Sequence, residues 1–154
     1  MKEIKDINYV FDGCKSDGFI QFRKDVDRFL AESLLRSAKE TLVVLNRVEM
    51  ISRKTNDFSL LFTSAYDVLR KLIEAFLLFD RLKCSNHQCI NAFLCLKHHD
   101  SYFDWEFLEE VRILRNKVNY EGKKITVDMW RSCRLKFRFH INKLIKLVEM
   151  KLQA

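Results

Sequence analysis

Arginine, asparagine and tyrosine side chains that could bind an anion lie close together between residues 111 and 122. This segment reads VRILRNKVNYEG. Arg112, Arg115 and Asn119 are spaced i, i+3 and i+7, so a helix aligns them on one side. Asn116 and Tyr120 are spaced i, i+4 and form an adjoining stripe. The segment therefore predicts that cationic and hydrogen-bonding groups converge at one end of a helix.

Positive charge is concentrated in the same part of the chain. Residues 111–148 contain eleven Lys and Arg residues but only two acidic residues, a net charge of +9. Since the whole chain carries +7, the remainder carries −2. A basic third on a nearly neutral body indicates an anionic partner such as RNA, DNA or a nucleotide. A solvated basic helix face would give the same pattern and remains an alternative.

The composition predicts that helices position these residues. The chain has no proline and only three glycines among 154 residues, and 48% of its residues are hydrophobic. Because proline and glycine mark turns and break helices, their scarcity is typical of an all-α protein. A chain of this length forms one domain with a substantial core. The expected fold class is therefore an all-α, up-and-down bundle of four to five helices.

The apolar periodicity and the capping residues divide this bundle into its helices. Residues 1–20, interrupted by Gly13 and Gly18, are predicted to be a loose arm or an irregular packing segment. Residues 21–154 are predicted to form the bundle, with two of its helices long and antiparallel. The first expected helix spans about residues 21–53, and the second runs from a cap at Asn56 or Asp57 to about Arg81. A short third helix starts at Ser85 or Asn86 and precedes a polar break at residues 98–101. The fourth spans about residues 105–120 with Gly122 as its C-terminal cap, and the fifth follows a cap at Thr126.

The cysteines and the hydropathy pattern predict a location. The five cysteines are odd in number and scattered, and no hydrophobic signal region begins the sequence. They are therefore interpreted as reduced intracellular thiols. The longest apolar run, residues 75–79, is too short to cross a bilayer. We expect a cytoplasmic protein with no membrane partner.

Two segments of the chain resemble the HEPN superfamily. Residues 64–82, SAYDVLRKLIEAFLLFDRL, resemble its second helix, and residues 114–122 resemble a variant of its terminal Arg-polar-x(3)-His motif. The order of elements extends the resemblance over about residues 24–152. HEPN domains are helical bundles that usually dimerise. Many are metal-independent endoribonucleases in toxin–antitoxin, CRISPR and RNA-processing systems, whereas others partner minimal nucleotidyltransferases or bind nucleotides. The resemblance implies a homodimer that handles RNA or a nucleotide without a metal or other cofactor.

The motif transfers to this chain residue by residue, with one departure. Arg115 matches the arginine that would hold the scissile phosphate, and Asn116 matches the polar residue after it. The family histidine falls at Tyr120, and tyrosine, with an ordinary pKa of about 10, is a poor base near neutral pH unless nearby cations lower its pKa. The resemblance implies a catalytic set of Arg115, Asn116 and Tyr120. Phosphate or RNA would also contact Arg112, Lys117, Asn119, Arg131, Arg134 and Arg138.

Three other interpretations accompany this hypothesis. The missing motif histidine favours a catalytically inert module that docks a partner protein, such as a nucleotidyltransferase antitoxin. Two pairs of a cysteine and a histidine at i, i+3 spacing suggest a zinc site, although cysteines at such positions are more often small core residues. A ladder on the second helix is interpreted as a structural brace rather than a catalytic group. The candidate zinc ligands are Cys84, His87, Cys95 and His98, and the ladder consists of Tyr66, Arg70 and Glu74.

Overall fold

The computed structural model describes residues 3–154, and most of them are helical. Within these residues there are six α-helices: α1 (Ile7–Ser16), α2 (Arg28–Thr55), α3 (Ser59–Leu77), α4 (His87–Lys97), α5 (Trp105–Glu121) and α6 (Val127–Gln153). Two short strands, β1 (Gln21–Phe22) and β2 (Leu82–Lys83), pair antiparallel, with Gln21 opposite Lys83 and Phe22 opposite Leu82. The all-α prediction is confirmed, and the five predicted helices correspond to α2–α6.

The helix ends follow local capping chemistry. The side chains of Asn86, Asp104 and Thr126 accept hydrogen bonds from backbone N–H groups in the first turns of α4, α5 and α6. Gly122 ends α5 in the left-handed region, with φ at 67°, as predicted. Helix α2 begins later than predicted, because residues 21–22 pair with β2 and the Asp27 side chain caps the helix at Arg28.

The N-terminal segment is more ordered than the sequence predicted. Residues 7–16 form α1 rather than a loose or irregular arm, and the Asp6 side chain caps the helix. Val10, Phe11 and Cys14 are buried on one side of α1, and the Phe11 ring lies 6.4 Å from that of Phe93 in α4. These three apolar residues recur at helical spacing, and a packing partner for them exists only in the folded chain. Residues 1 and 2 of the predicted arm lie outside the described residues.

A disulfide bond between Cys14 and Cys89 joins α1 to α4. The prediction that all five cysteines are reduced is therefore wrong for this pair. The two residues are 75 positions apart, and only the packing of α1 on α4 brings them together. Cys84, Cys95 and Cys133 remain free. Burial raises the pKa of the Cys95 and Cys133 thiols to about 12, so both are protonated near neutral pH.

Removing this disulfide should lower the free energy of unfolding by about 2–4 kcal/mol, because the unfolded chain regains the freedom of a long loop. Urea denaturation of the wild type and of a Cys14→Ser/Cys89→Ser variant measures the difference. The matched control is Cys84→Ser, which changes a free and partly exposed thiol and should leave the midpoint unchanged. Equal midpoints for the wild type and the double variant would contradict the prediction.

Helices α2 and α6 are the two long antiparallel helices of the bundle. At one end Arg28 donates to the Leu152 carbonyl, and at the other Glu49 accepts from Trp130 Nε1 and pairs with Arg134. Helix α3 packs against α2, α5 and α6, so most of its surface is buried. No helix within residues 3–154 is long and apolar enough to span a membrane. The central position of α3 matters for function because its polar residues meet α4 and α5.

Candidate phosphate-binding site

Three helices bring arginine, tyrosine and histidine side chains together on one face of the bundle. We call this group the arginine cluster: Tyr66 and Arg70 of α3, His87 of α4, and Arg112 and Arg115 of α5. Arg70 Nη1 lies 3.0 Å from His87 Nε2, and the Tyr66 hydroxyl lies 3.4 Å from His87 Nδ1. The Arg115 guanidinium carbon lies 5.6 Å from the centroid of the Tyr66 ring. The motif arginine therefore contacts the polar ladder of the second predicted helix.

Local structure explains why these side chains meet. Tyr66 and Arg70 are one turn apart on α3, and Arg112 and Arg115 are one turn apart on α5, so each pair shares a helix face. Helix α4 starts at His87 because the Asn86 side chain accepts from the Cys89 N–H. That cap places His87 in the first turn of α4, within reach of both α3 side chains.

The hydrogen bonds assign the tautomer of His87. A guanidinium group can only donate, so His87 Nε2 accepts from Arg70 and Nδ1 carries the proton that faces the Tyr66 hydroxyl. Burial and the charges of Arg70, Arg115 and Arg112 lower the pKa of His87, while Asp67 opposes them. His87 is therefore a neutral imidazole near neutral pH.

Tyr66 is also neutral near physiological pH. Burial raises its pKa to about 12, despite the opposing effect of the three arginines. Its hydroxyl can therefore donate or accept a hydrogen bond, but it does not act as a base. Within the arginine cluster, Tyr66 fixes the ring of His87 and provides an aromatic face for Arg115.

Arg112 is held by a buried carboxylate. Glu109 is 1% exposed and accepts from Arg112 Nε at 3.0 and 3.1 Å and from Nη2 at 2.7 Å. Gln88 and Asn91 of α4 donate to the two oxygens of the same carboxylate, at 2.9 and 3.1 Å. This network fixes α5 against α4. Arg112 therefore has few donors left for a bound anion, since its Nε and Nη2 are directed to Glu109.

Within residues 3–154, Arg70 and Arg115 lack a carboxylate within hydrogen-bond distance. The nearest carboxylate contacts are 3.7 Å from Arg70 Nε to Glu74 and 3.8 Å from Arg115 Nη2 to Asp67, both longer than a hydrogen bond. The side chains of Glu74 and Asp67 are 35% and 47% exposed. Among the described residues, the Nε atoms of both arginines are buried and have no hydrogen-bond acceptor. These two guanidinium groups therefore retain donors that no described residue uses.

A cleft of about 300 Å³ opens beside Arg70 and His87. The cleft is lined by polar and charged side chains and by apolar side chains of α2, β2 and α4. The polar and charged ones are Arg23, Arg70, Glu74, Cys84, Ser85 and His87. This volume is at the lower end of the range for small-molecule sites. The polar wall formed by Arg70 and His87 makes the cleft suited to an anionic group.

The remaining motif residues line a different groove. Asn116, Lys117 and Tyr120 border a groove of about 320 Å³ together with Arg112, Gln88 and residues 3–5. Tyr120 is 79% exposed, and Asn119 is also exposed. Tyr120 lies five residues after Arg115, a rotation of about 140° around a helix, so the two side chains leave α5 in different directions. Within one chain, the side chains of Tyr120 and Arg115 therefore do not share a site.

The basic residues of α6 form a separate surface. Arg131 and Arg138 are exposed, whereas Arg134 Nε lies 3.2 Å from Glu49 of α2. Helix α6 packs mainly on α2 and α3. No ion pair or hydrogen bond between described residues joins these three arginines to the arginine cluster. These three arginines can extend a basic surface, but they do not line the cleft beside Arg70 and His87.

The suggested zinc ligands do not gather at one point. His87 contacts Tyr66 and Arg70, whereas His98 Nε2 lies 2.6 Å from Asp80. Cys84 Sγ donates to the Asn86 carbonyl, and Cys95 is buried. Across residues 3–154, no group of three or more His, Cys, Asp or Glu side chains could hold a metal ion. The zinc interpretation of these four residues is therefore wrong.

Comparisons with protein-family models, curated proteins and solved structures find no match for this chain. The HEPN resemblance thus depends on the two sequence segments. In the structure, residue 66 of the first segment and residue 115 of the second are in contact. His87 belongs to neither segment, and the sequence pointed to it only as a metal ligand. The only feature of the neighbouring sequence that indicates its position is the Asn86 cap, which places His87 in the first turn of a helix.

Proposed function

We propose that this chain is an RNA- or nucleotide-binding, HEPN-like domain that acts as a metal-independent endoribonuclease. The observation that supports this proposal most directly is the pair of guanidinium groups, Arg70 and Arg115, whose buried Nε donors lack acceptors among the described residues. A phosphodiester would supply those acceptors. The neutral imidazole of His87 beside the same groups adds a side chain that can exchange protons near neutral pH.

Phosphate binding would exchange the protein's own carboxylates for a phosphate as the partners of Arg70 and Arg115. Asp67 and Glu74 contact the arginines only at 3.8 and 3.7 Å and are partly exposed, so returning these carboxylates to water costs little. A phosphate would replace them with shorter, charge-assisted hydrogen bonds. As the phosphorus becomes five-coordinate during cleavage, its oxygens gain negative charge, and the same arginines stabilise it more strongly.

The wider charge distribution would guide RNA to the cleft. Residues 111–148 carry a net charge of +9, and Arg131 and Arg138 are exposed on α6. Such a surface attracts a polyanion from a distance, and the attraction weakens as salt rises. We propose further that the chain acts as a homodimer, which would add a second copy of Asn116 and Tyr120 to the assembly.

The first test compares Arg115→Ala with the wild type on a fluorescein-labelled single-stranded RNA in EDTA. Loss of the charged donors should weaken RNA binding by about 10-fold or more. Loss of transition-state stabilisation should reduce cleavage by about 100-fold or more. Fluorescence anisotropy measures binding, and gel electrophoresis measures cleavage.

The matched control for this test is Arg36→Ala, which removes the same charge from an exposed position on α2. It should bind and cleave RNA as the wild type does. The proposal fails if Arg115→Ala, folded by circular dichroism, retains wild-type binding and cleavage.

A catalytically inert docking module is the second candidate. Val43, Val44, Met50 and Ile51 are exposed on α2 at spacings that place them on one side of the helix, and they form an apolar stripe. A partner protein, such as a nucleotidyltransferase antitoxin, could dock there. The two candidates differ in the salt dependence of RNA binding. Affinity that falls steeply with salt supports the first, and absence of binding even at low salt supports the second.

A further inference from the structure

We infer that His87 is the proton-accepting catalytic residue of this chain, supplied by α4 in place of the histidine that the α5 motif lacks. This inference rests on the proposed function and identifies the group that performs its chemistry. It is carried by geometry, because His87 lies on the wall of the cleft that Arg70 also lines, with its ring fixed between Arg70 and Tyr66.

The reactive atom of His87 is Nε2. Arg70 donates to this nitrogen at 3.0 Å, so the lone pair points towards a cationic group rather than into the core. A phosphodiester that binds Arg70 competes for the same guanidinium donor. When Arg70 turns to the phosphate, Nε2 becomes free to accept a proton from the nearest hydroxyl of the RNA. Tyr66 keeps Nδ1 in place during this exchange.

The step balances without a metal ion or a redox partner. His87 Nε2 takes the proton from the ribose 2′-hydroxyl, and the 2′-oxygen forms a bond to phosphorus. The bond from phosphorus to the 5′-oxygen of the next nucleotide breaks, and that oxygen takes a proton from water. The hydroxide left behind removes the proton from His87, which restores the neutral imidazole. The products are a 2′,3′-cyclic phosphate and a free 5′-hydroxyl.

Other titratable groups of the site fit this role poorly. Tyr66 has a pKa raised to about 12, and burial raises the pKa of Cys84. Tyr120 is exposed and leaves α5 in a different direction from Arg115. Among the described residues of the arginine cluster, His87 alone combines a position on the cleft with a charge change near neutral pH.

The surroundings of His87 predict the pH dependence. Burial and the three arginines favour the neutral form, and Asp67 favours the charged form. The cleavage parameter kcat/KM should therefore rise with pH through a pKa below the ordinary 6.5 and then level off. Bound phosphate adds negative charge beside His87, which raises the pKa of its imidazole. The rise in the pH profile of kcat should therefore occur at higher pH than the rise in kcat/KM. The charged and titratable groups that face this region are Arg23 after β1, Tyr66, Asp67, Arg70 and Glu74 on α3, Cys84 after β2, and Glu109, Arg112 and Arg115 on α5.

The test compares His87→Gln with His99→Gln in the same RNA assay in EDTA. Glutamine keeps hydrogen-bonding groups at position 87 but cannot accept a proton near neutral pH. We expect cleavage to fall by about 100-fold to 10,000-fold and the acidic limb of the pH profile to disappear. RNA binding should stay within about threefold of the wild type. His99 is exposed, and its variant should behave as the wild type.

A second measurement follows the pKa of His87 in the wild type directly. The ring-proton resonance of His87 in the wild type, assigned by its absence in the spectrum of His87→Gln or His87→Asn, should titrate below pH 6.5. An oligonucleotide with 2′-deoxyribose should bind without being cleaved and raise that pKa. A His87 resonance that does not respond to the bound oligonucleotide would overturn the assignment.

The outcomes separate this inference from the proposed function. If His87→Gln cleaves RNA at the wild-type rate while Arg115→Ala does not, His87 is not the base, but the proposed function stands. If the wild type neither binds nor cleaves RNA, the proposed function and the inference both fail. If the wild type binds RNA without cleaving it in EDTA at any pH, the inference is overturned and only the binding role remains.

Discussion

Replacing Glu109 with alanine is expected to lower the free energy of unfolding by about 3–5 kcal/mol, because it leaves buried cationic and amide groups without their acceptor. The carboxylate accepts hydrogen bonds from Arg112, Gln88 and Asn91, and no other acidic side chain approaches Arg112 as an ion pair within the described residues. The change also removes the group that fixes α5 against α4. Since α5 carries Arg115 and α4 carries His87, we expect RNA cleavage to fall as well.

Urea denaturation followed by circular dichroism measures this loss. Glu110→Ala is the matched control, since it deletes the neighbouring carboxylate from an exposed position of the same helix. It should change the free energy of unfolding by less than about 0.5 kcal/mol. An Arg112→Leu/Glu109→Leu double variant should recover part of the lost stability, because an apolar pair leaves no buried charge, whereas Gln88 and Asn91 still lack their acceptor. A Glu109→Ala variant as stable as Glu110→Ala would show that the network contributes little.

Replacing Phe137 with alanine is expected to cost about 3–5 kcal/mol of stability, because a large side chain leaves a cavity in the core. Phe137 is 2% exposed, and its ring lies 5.6 Å from Phe62, 5.3 Å from Phe107 and 5.9 Å from Trp130, measured between ring centroids. These contacts join α6 to α3 and to α5, so the cavity would weaken two helix packings at once. The surrounding aromatic rings are rigid and cannot fill the space.

Phe139→Ala provides the matched control, since the same side chain is deleted two residues away in α6. Phe139 is 55% exposed and should cost less than about 1 kcal/mol. Denaturant midpoints of the two variants give the comparison. Phe137→Leu, which keeps most of the apolar volume, should be less destabilising than Phe137→Ala. Equal losses for positions 137 and 139 would contradict the assignment of Phe137 to the core.

The sequence determined the features of this protein that depend on near neighbours in the chain. The helical periods, the caps at Asn86 and Thr126 and the left-handed Gly122 each arise from contacts within one or two turns, and the structure confirms them. The i, i+4 relation between Tyr66 and Arg70 is of the same kind. Sequence segments can reveal these features because the interacting groups are covalently close.

Only the tertiary structure decided which of these local features meet. Nothing near His87 in the sequence indicates that its ring contacts Tyr66 and Arg70, because α3 and α4 touch only after the bundle packs. The same holds for the bond between Cys14 and Cys89. Arg115 lies in the arginine cluster, whereas Tyr120 borders another groove, because the helix turns by about 140° between them. The motif alone could name the arginine, but packing between helices decided which titratable side chain stands beside it.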